Sequence, residues 1–150
     1  MTQLFDANAF MQATFEGEND TVRIPIPAEE WDAIAEKVDL SQWTSKDGSK
    51  SGLKLTILWE IMSDEVREIT GRSKNVVRQD IMLDLTDDAR LDMGKGMNVA
   101  LGKLRQAVGL NTPGEAFSFP MIQGRNAKIK VKHEMYENEI QAKVGGVIAA

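Results

Sequence analysis

The chain has 150 residues, which fits one domain, and its 42% hydrophobic content suffices for a single core. It contains no cysteine, which excludes disulfides and thiolate metal sites, and no apolar run approaches the roughly 18–20 residues that span a bilayer. A net charge of −5 argues against a uniformly basic surface. The first ten residues lack the basic and apolar regions of a signal peptide, so we expect a soluble, intracellular protein without membrane contact.

The charge is unevenly distributed along the chain. Residues 1–42 hold nine acids and two bases, a net charge of −7, whereas residues 43–150 hold sixteen bases and fourteen acids, a net charge of +2. Two basic clusters stand out: Arg67, Arg72, Lys74 and Arg78, then Arg125, Lys128, Lys130 and Lys132. Phosphate binding depends on such local patches more than on total charge, although alternating lysines are equally typical of a solvated strand face.

Residues 1–22 are predicted to form an acidic arm, and the folded domain is expected at residues 23–150. Residues 29–43 allow two interpretations. Trp31, Ile34, Ala35 and Val38 have helical spacing, whereas a long, bulged strand places Trp31, Ala33 and Ala35 on one face. We predict a strand, because the barrel described below requires one here.

Residues 44–52 have the composition of a turn, and residues 53–61 and 76–85 alternate as strands do. Residues 62–75 are predicted to be a polar connection. A helix is expected at residues 97–108, where the apolar stripe Met97, Leu101, Leu104 and Val108 can plug one end of a barrel and Gly109 suits the helix end.

Two further strands are predicted after the helix. Ala127, Ile129 and Val131 alternate with lysines, Glu137-Asn138 suits a hairpin corner, and the apolar tail VGGVIAA completes the last strand. The order of elements predicts a mainly β fold: a five-stranded Greek-key barrel of the OB type with one helix between strands 3 and 4. Such barrels mostly bind single-stranded nucleic acid or other proteins.

Catalytic motifs are not apparent. His133 is the only histidine and has no partner at metal-ligand spacing, so a structural role is expected. Asp84, Asp87, Asp88 and Asp92 do not match an EF-hand and fit an acidic strand end before a helix. Gly94-Lys95-Gly96 does not match a P-loop. We therefore predict no enzymatic activity, no cofactor and no metal; a nuclease that gathers distant carboxylates remains an alternative.

Cations and accessible aromatic side chains point to a nucleic-acid interface, because phosphates pair with lysine and arginine and bases stack on aromatic rings. Trp43 and Tyr136 are the stacking candidates, although Trp43 equally suits a cap on the core; Trp59 fits the core, and Trp31 is undecided. The predicted DNA-binding residues are Trp43, Lys46, Lys50, Lys54, Arg72, Lys74, Arg78, Lys128, Lys130, Lys132 and Tyr136.

The segments SKSGLKLTILWEI, VVRQDIMLDLT, LDMGKGMNVALGKLRQAVGLN and GRNAKIKVKHE, in this order, resemble the bacteriophage single-stranded DNA-binding proteins with an OB fold. The resemblance covers about residue 24 to the end, and its most specific part is LDLT followed by LD.GKG.NV.LG.LR.AVG.N. It implies single-stranded DNA binding in phage replication or recombination, in the cytoplasm of the infected bacterium.

The chain departs from this group at its end. Many single-strand binders end in an acidic tail that recruits partner enzymes, whereas this chain ends VGGVIAA. Recruitment of replication or recombination proteins would then use another surface, such as the acidic first 42 residues. An OB-like module that binds a phage or host protein through that segment is the alternative function, and a homo-oligomer is left open.

Overall fold

The computed structural model describes residues 5–150. The strands are β1 (Glu30–Thr44), β2 (Ser51–Ile61), β3 (Val76–Met82), β4 (Asn126–Tyr136) and β5 (Glu139–Ile148). The helices are α1 (Ala7–Gln12), α2 (Asp64–Thr70), α3 (Val99–Ala107) and a 3-10 turn, η1 (Phe119–Ile122). Within the described residues, no helix has the length and apolar character needed to cross a membrane.

The five strands form one open sheet in the order β3-β2-β1-β4-β5, and all neighbouring strands are antiparallel. The edge strands β3 and β5 therefore run in the same direction, and they contact each other. The sheet must curve strongly to bring its two edges together. The mainly β prediction is confirmed, and α3 follows β3 and precedes β4 in chain order.

Residues 29–43, for which the sequence allowed either a helix or a strand, form most of strand β1. Its buried residues alternate up to Ala35, and the register with β2 then shifts between Ala35 and Lys37, so that Glu36 is an extra residue. After this bulge the inward positions resume at Val38, which is opposite the buried Ile57. A bulge adds one residue to a two-residue period. The extra residue sets the inward side chains of Ala35 and Val38 three positions apart, which is also a helical spacing. The strand prediction is confirmed.

Two predictions about helices need correction. The connection at residues 62–75 contains α2, which begins where the Ser63 side chain accepts a hydrogen bond from the backbone N–H of Val66 (3.2 Å) and ends at left-handed Gly71 (φ 72°). A serine cap, two acids in the first turn and a glycine stop were the available signals. The predicted single helix was therefore incomplete. In addition, α3 begins at Val99, so Met97 lies outside it and is 41% exposed.

The core contains the inward side chains of the sheet together with Leu101 and Leu104 of α3. Trp59 is fully buried and donates its indole N–H to Oε1 of Gln79 (2.8 Å), as expected for a core residue. Trp31 is also buried and donates to the Pro27 carbonyl (2.9 Å). Nε2 of His133 lies 2.7 Å from the Ile26 carbonyl oxygen, so this histidine links β4 to the segment before β1.

The left-handed glycine that ends α2 gives a direct test of helix termination. A Cβ at Gly71 would meet no atom within 4 Å, so a Gly71→Ala change acts through backbone strain alone. We expect it to lower the free energy of unfolding by about 1–2 kcal/mol, measured by urea denaturation. Gly102→Ala in α3 is the control: its site is equally open but its φ is not positive, so alanine should stabilise by about 0.4–1 kcal/mol. Equal effects would contradict the strain argument.

Candidate nucleic-acid interface

The outward face of β2 and β3 presents polar side chains together with Leu58 and Met82 above a buried layer. Lys54, Thr56 and Leu58 of β2 lie opposite Met82, Asp80 and Arg78 of β3, respectively, while the alternate β2 residues are fully buried. The two-residue period of a strand explains this division. The buried layer holds the outward side chains in a fixed order along the sheet.

The indole of Trp43 lies against the backbone of Gly52, its partner across β1 and β2. A Cβ at Gly52 would be 2.8 Å from Nε1 and 3.0 Å from Cε2 of the indole, so only glycine leaves room for this contact. Nε1 of Trp43 is buried and has no hydrogen-bond acceptor among the described residues. The side chain is half-buried, which places a hydrogen-bond donor and an aromatic ring at the start of the β1–β2 loop.

The β1–β2 loop is a hydrogen-bonded turn. The Asp47 carboxylate accepts hydrogen bonds from the hydroxyls of Ser45 and Ser49 (both 2.7 Å) and from the Ser49 backbone N–H (3.0 Å). These hydrogen bonds lower the pKa of Asp47 to about 2, and the bond from the Ser49 side chain has the largest effect. Lys46 and Lys50 flank this carboxylate in sequence, and both are exposed. The loop thus places two ammonium groups that form no ion pair with residues 5–150 next to Trp43 in the hairpin, and Lys54 follows on β2.

The cations at the β3 end of the predicted site are mostly paired with acids. Nε of Arg78 donates to both carboxylate oxygens of Asp80 (3.0 and 3.1 Å). Lys74 pairs with Glu36 of β1 and lies 4.0 Å from Glu60 of β2; its hydrogen bond to Glu36 raises the pKa of Lys74. These pairings reduce the positive charge that Arg78 and Lys74 present to a ligand.

Arg72 lies in a separate cleft with Arg23, a residue that the sequence analysis did not select. The cleft is lined by residues 20–24, Thr70 and Glu139. Burial lowers the pKa of Arg72, and the positive charge of Arg23 lowers it further. The nearness of two guanidinium groups from distant segments was visible only in the tertiary structure. The cleft also carries acids, Asp20 and Glu139, so its net charge is small.

The lysines of β4 point outward as predicted but face acids. Lys128 and Lys130 lie opposite Asp32 and Glu30 of β1, and Lys132 pairs with Glu134 (3.0 Å). Tyr136 is 59% exposed and is the last residue of β4. Opposite charges across a strand pair attract each other. Of these three lysines only Lys132 forms an ion pair among the described residues, while the carboxylates of Asp32 and Glu30 lower the positive potential around Lys128 and Lys130.

The predicted residues do not form one groove. In the sheet order, β1 separates the β2–β3 face from β4, and its outward positions near β4 carry Glu30 and Asp32. Trp43 and the β1–β2 loop lie at the opposite end of β1 from these acids. The structure thus brings together Trp43, Lys46, Lys50 and Lys54, and it places Lys128, Lys130, Lys132 and Tyr136 in a second group. Hereafter the first four are called the loop cluster.

The acids between β3 and α3 bind the backbone of their own segment. One Asp84 carboxylate oxygen accepts from the Asn98 backbone N–H (2.8 Å), and one of Asp92 accepts from that of Gly94 (2.8 Å). The Asn98 side chain in turn donates to the carbonyls of Asp84 and Asp92 (both 2.9 Å). The two carboxylates thus hold the segment that leads into α3, whose first turn contains no acid.

The contact between Trp43 and Gly52 predicts a specific sensitivity. A Gly52→Ala change would force the indole to move, because the new Cβ would lie 2.8 Å from Nε1. We expect a loss of about 1–3 kcal/mol in the free energy of unfolding and a shift in the tryptophan emission maximum. Gly146→Ala in β5 is the matched control, since its Cβ would meet only the Cβ of Lys130, at 3.9 Å. An unchanged Gly52→Ala variant would show that the indole does not rest on this glycine.

Neither a scan against protein-family models nor a search of curated proteins finds a match to this chain.

Proposed function

We propose that this protein binds single-stranded DNA without catalysis, and that the loop cluster is the centre of its interface. The proposal rests mainly on the arrangement at the β1–β2 loop, where Trp43 lies on Gly52 beside three lysines, Lys46, Lys50 and Lys54. An aromatic ring stacks with any base at about 1–3 kcal/mol, and ammonium groups pair with phosphates.

The strand order supports an OB-type barrel as the scaffold. With the order β3-β2-β1-β4-β5 and contact between β3 and β5, closing the sheet joins its two edge strands. The OB fold is a partly open Greek-key barrel of five strands that binds oligonucleotides on its second and third strands and on the loops after the first and fourth strands. The loop cluster occupies the first of those loops, and Tyr136 borders the loop that joins β4 and β5.

Charge distribution favours a path across β2 and β3. The loop from Ser45 to Lys54 carries three lysines and one acid, Asp47, whereas the β4 lysines face Glu30 and Asp32. A single strand that starts at Trp43 and crosses the outward face would meet Lys54, then Thr56 and Arg78, which both donate hydrogen bonds to Asp80, so Lys54 is the unpaired cation of this path among the described residues. Arg72 lies with Arg23 in a separate cleft, and we place Lys128, Lys130 and Lys132 outside the centre of the path.

The biological setting follows from the resemblance to phage single-strand binders. We propose that the protein protects and organises single-stranded DNA during phage replication or recombination, in the cytoplasm of the infected bacterium. Non-specific stacking and phosphate pairing suit this role, because the exposed strand has no fixed sequence.

Fluorescence anisotropy tests the proposal. A labelled single strand of about 30 nucleotides and its duplex are titrated with the protein across a salt series. We expect tighter binding to the single strand, and affinity that falls with salt by a slope of about −0.7 for each phosphate contact. Absence of binding at low salt, or stronger binding to the duplex, would overturn the proposal.

The protein-interaction module is the second candidate, and one observation favours it. Residues 5–24 are exposed throughout and include Phe5, Phe10, Met11 and Phe15, so this acidic segment offers apolar side chains to another protein. A pulldown from an infected lysate distinguishes the two functions. A partner retained after nuclease treatment, together with no DNA binding in the anisotropy assay, would favour the interaction module.

A further inference from the structure

The segment from residue 5 to residue 22, here called the N-terminal arm, leaves large apolar side chains without contacts to the core. α1 has no buried residue, and Phe10, Met11 and Phe15 are 63%, 81% and 71% exposed. The rings of Phe10 and Phe15 lie 5.5 Å apart and so form one apolar surface. Clustered exposed aromatic side chains usually mark an interaction site. The first four residues of the predicted acidic arm lie outside the described range.

The N-terminal arm is also uniformly acidic. Residues 5–22 contain Asp6, Glu16, Glu18 and Asp20 and no lysine or arginine. Two of these acids, Glu16 and Glu18, directly follow the Phe10–Phe15 surface. A complementary site should therefore combine an apolar floor with a basic rim.

The same chain carries a surface of this kind at the start of α3. A cleft of about 380 Å³ is lined by Met93 and Met97, which are 73% and 41% exposed, and by Val99, which is 54% exposed. Methionine side chains are flexible and polarisable, and they are common where a surface must fit a partner. This surface is called the methionine cleft below.

The rim of the methionine cleft is basic. Lys103 and Arg105 line it, although the Arg105 guanidinium donates to the Leu110 carbonyl (2.9 Å) and lies 4.2 Å from the centroid of the Phe117 ring, and Lys95 lies two residues before Met97 in the chain. None of the three forms an ion pair with a residue in the range 5–150. Asp92 also lines the cleft, but its carboxylate accepts the Gly94 backbone N–H. The cleft therefore combines the two features that the N-terminal arm requires.

We propose that the N-terminal arm of one copy docks in the methionine cleft of a second copy. The arm places Phe10 and Phe15 on the methionines, and its acids meet Lys95 and Lys103. Because the two surfaces differ, the contact is heterologous and can repeat from copy to copy. On a DNA strand this contact would favour binding of neighbouring copies side by side. It goes beyond the proposed function and does not require DNA.

Disulfide cross-linking between single-cysteine variants tests the contact in the full-length protein. The chain contains no cysteine, so each introduced thiol is the only one in its variant. A Met11→Cys variant is mixed with a Met97→Cys variant under mild oxidation, without DNA, at low salt. The control replaces Met97→Cys with Met62→Cys, because Met62 is also 41% exposed but lies outside the cleft. We expect a cross-linked heterodimer at several times the control yield, measured by non-reducing gel and mass spectrometry.

Two results would overturn the proposal. One is a heterodimer yield no higher than that of the Met62→Cys control. The other comes from a separate double variant that carries both Met11→Cys and Met97→Cys. If its disulfide forms only within one chain, the arm covers the cleft of its own copy. Because DNA is absent from the mixture, failure here leaves the single-strand binding proposal unaffected, and loss of DNA binding leaves this contact intact.

Reversing the charges of the methionine cleft and of the N-terminal arm tests the role of the basic rim. Lys95→Glu with Lys103→Glu in the Met97→Cys variant should reduce the heterodimer yield to the control value. Glu16→Lys with Glu18→Lys in the Met11→Cys variant should then restore it. Lys128→Glu with Lys130→Glu makes the same change in net charge on β4 and should leave the yield unchanged. A yield that the first pair does not alter would contradict the proposed role of the basic rim.

Discussion

Charge reversal in the loop cluster, Lys46→Glu with Lys50→Glu, is expected to weaken single-stranded DNA binding by a factor of roughly 5–30. Both lysines are exposed and neither forms an ion pair with a described residue, so each is available for a phosphate. Two lost phosphate contacts should also reduce the salt slope by about 1.4. Anisotropy with the labelled single strand measures both quantities, and circular dichroism checks the fold.

The β4 lysines provide a control with the same change in net charge. Lys128→Glu with Lys130→Glu is expected to weaken binding much less, because the carboxylates of Asp32 and Glu30 on the neighbouring strand repel a phosphate that approaches these lysines, although neither lysine forms an ion pair with a described residue. This comparison separates a local interface from a general dependence on net charge. If the β4 variant loses more affinity than the loop variant, the interface lies on β4 and the proposed location is wrong.

A Trp59→Ala change is expected to lower the free energy of unfolding by about 3–5 kcal/mol. Trp59 is fully buried between Ala35 and Val77 in the strand pairing, so truncation removes a large apolar contact and leaves a cavity. It also removes the donor to Oε1 of Gln79. Urea denaturation followed by far-ultraviolet circular dichroism gives the free energy without depending on tryptophan fluorescence.

Trp43→Ala is the matched control, because this tryptophan is only half-buried and its N–H has no acceptor among the described residues. We expect it to cost less stability than Trp59→Ala while weakening single-strand binding by about 1–3 kcal/mol, the usual contribution of one stacked base. The two tryptophans should thus separate folding from binding. A Trp43→Ala variant with normal DNA affinity would remove this residue from the interface.

Local patterns predicted the strands well and the helices less well. Alternation located β2, β3 and β4, and the Glu137-Asn138 corner is confirmed: both residues have positive φ (48° and 66°) between β4 and β5. α2 was missed because it has only seven residues and two of them are buried. So short a helix shows too little periodicity, and its terminal signals, Ser63 and Gly71, carried most of the information.

The candidate site was predicted only residue by residue. Exposure of Lys46, Lys50, Lys128 and Lys130 could be anticipated from turn composition and strand alternation. Their grouping could not, because it depends on which strands are neighbours. The placement of β1 between β2 and β4 sets Glu30 and Asp32 opposite the β4 lysines, and the cleft between the segment before β1 and the end of α2 brings Arg23 near Arg72.

The sequence by itself determined the class of the fold, the faces of its strands and the separation of an acidic arm from a mixed-charge remainder. These properties depend on composition and on periods of two or about four residues, which are local. The tertiary structure decided which charges pair, which tryptophan is free of the core and where the cations gather. Strand order and the bulge at Glu36 depend on pairing between segments that are distant in the chain, and the contact of Trp43 with Gly52 depends on the register of the β1–β2 hairpin, which no local pattern specifies.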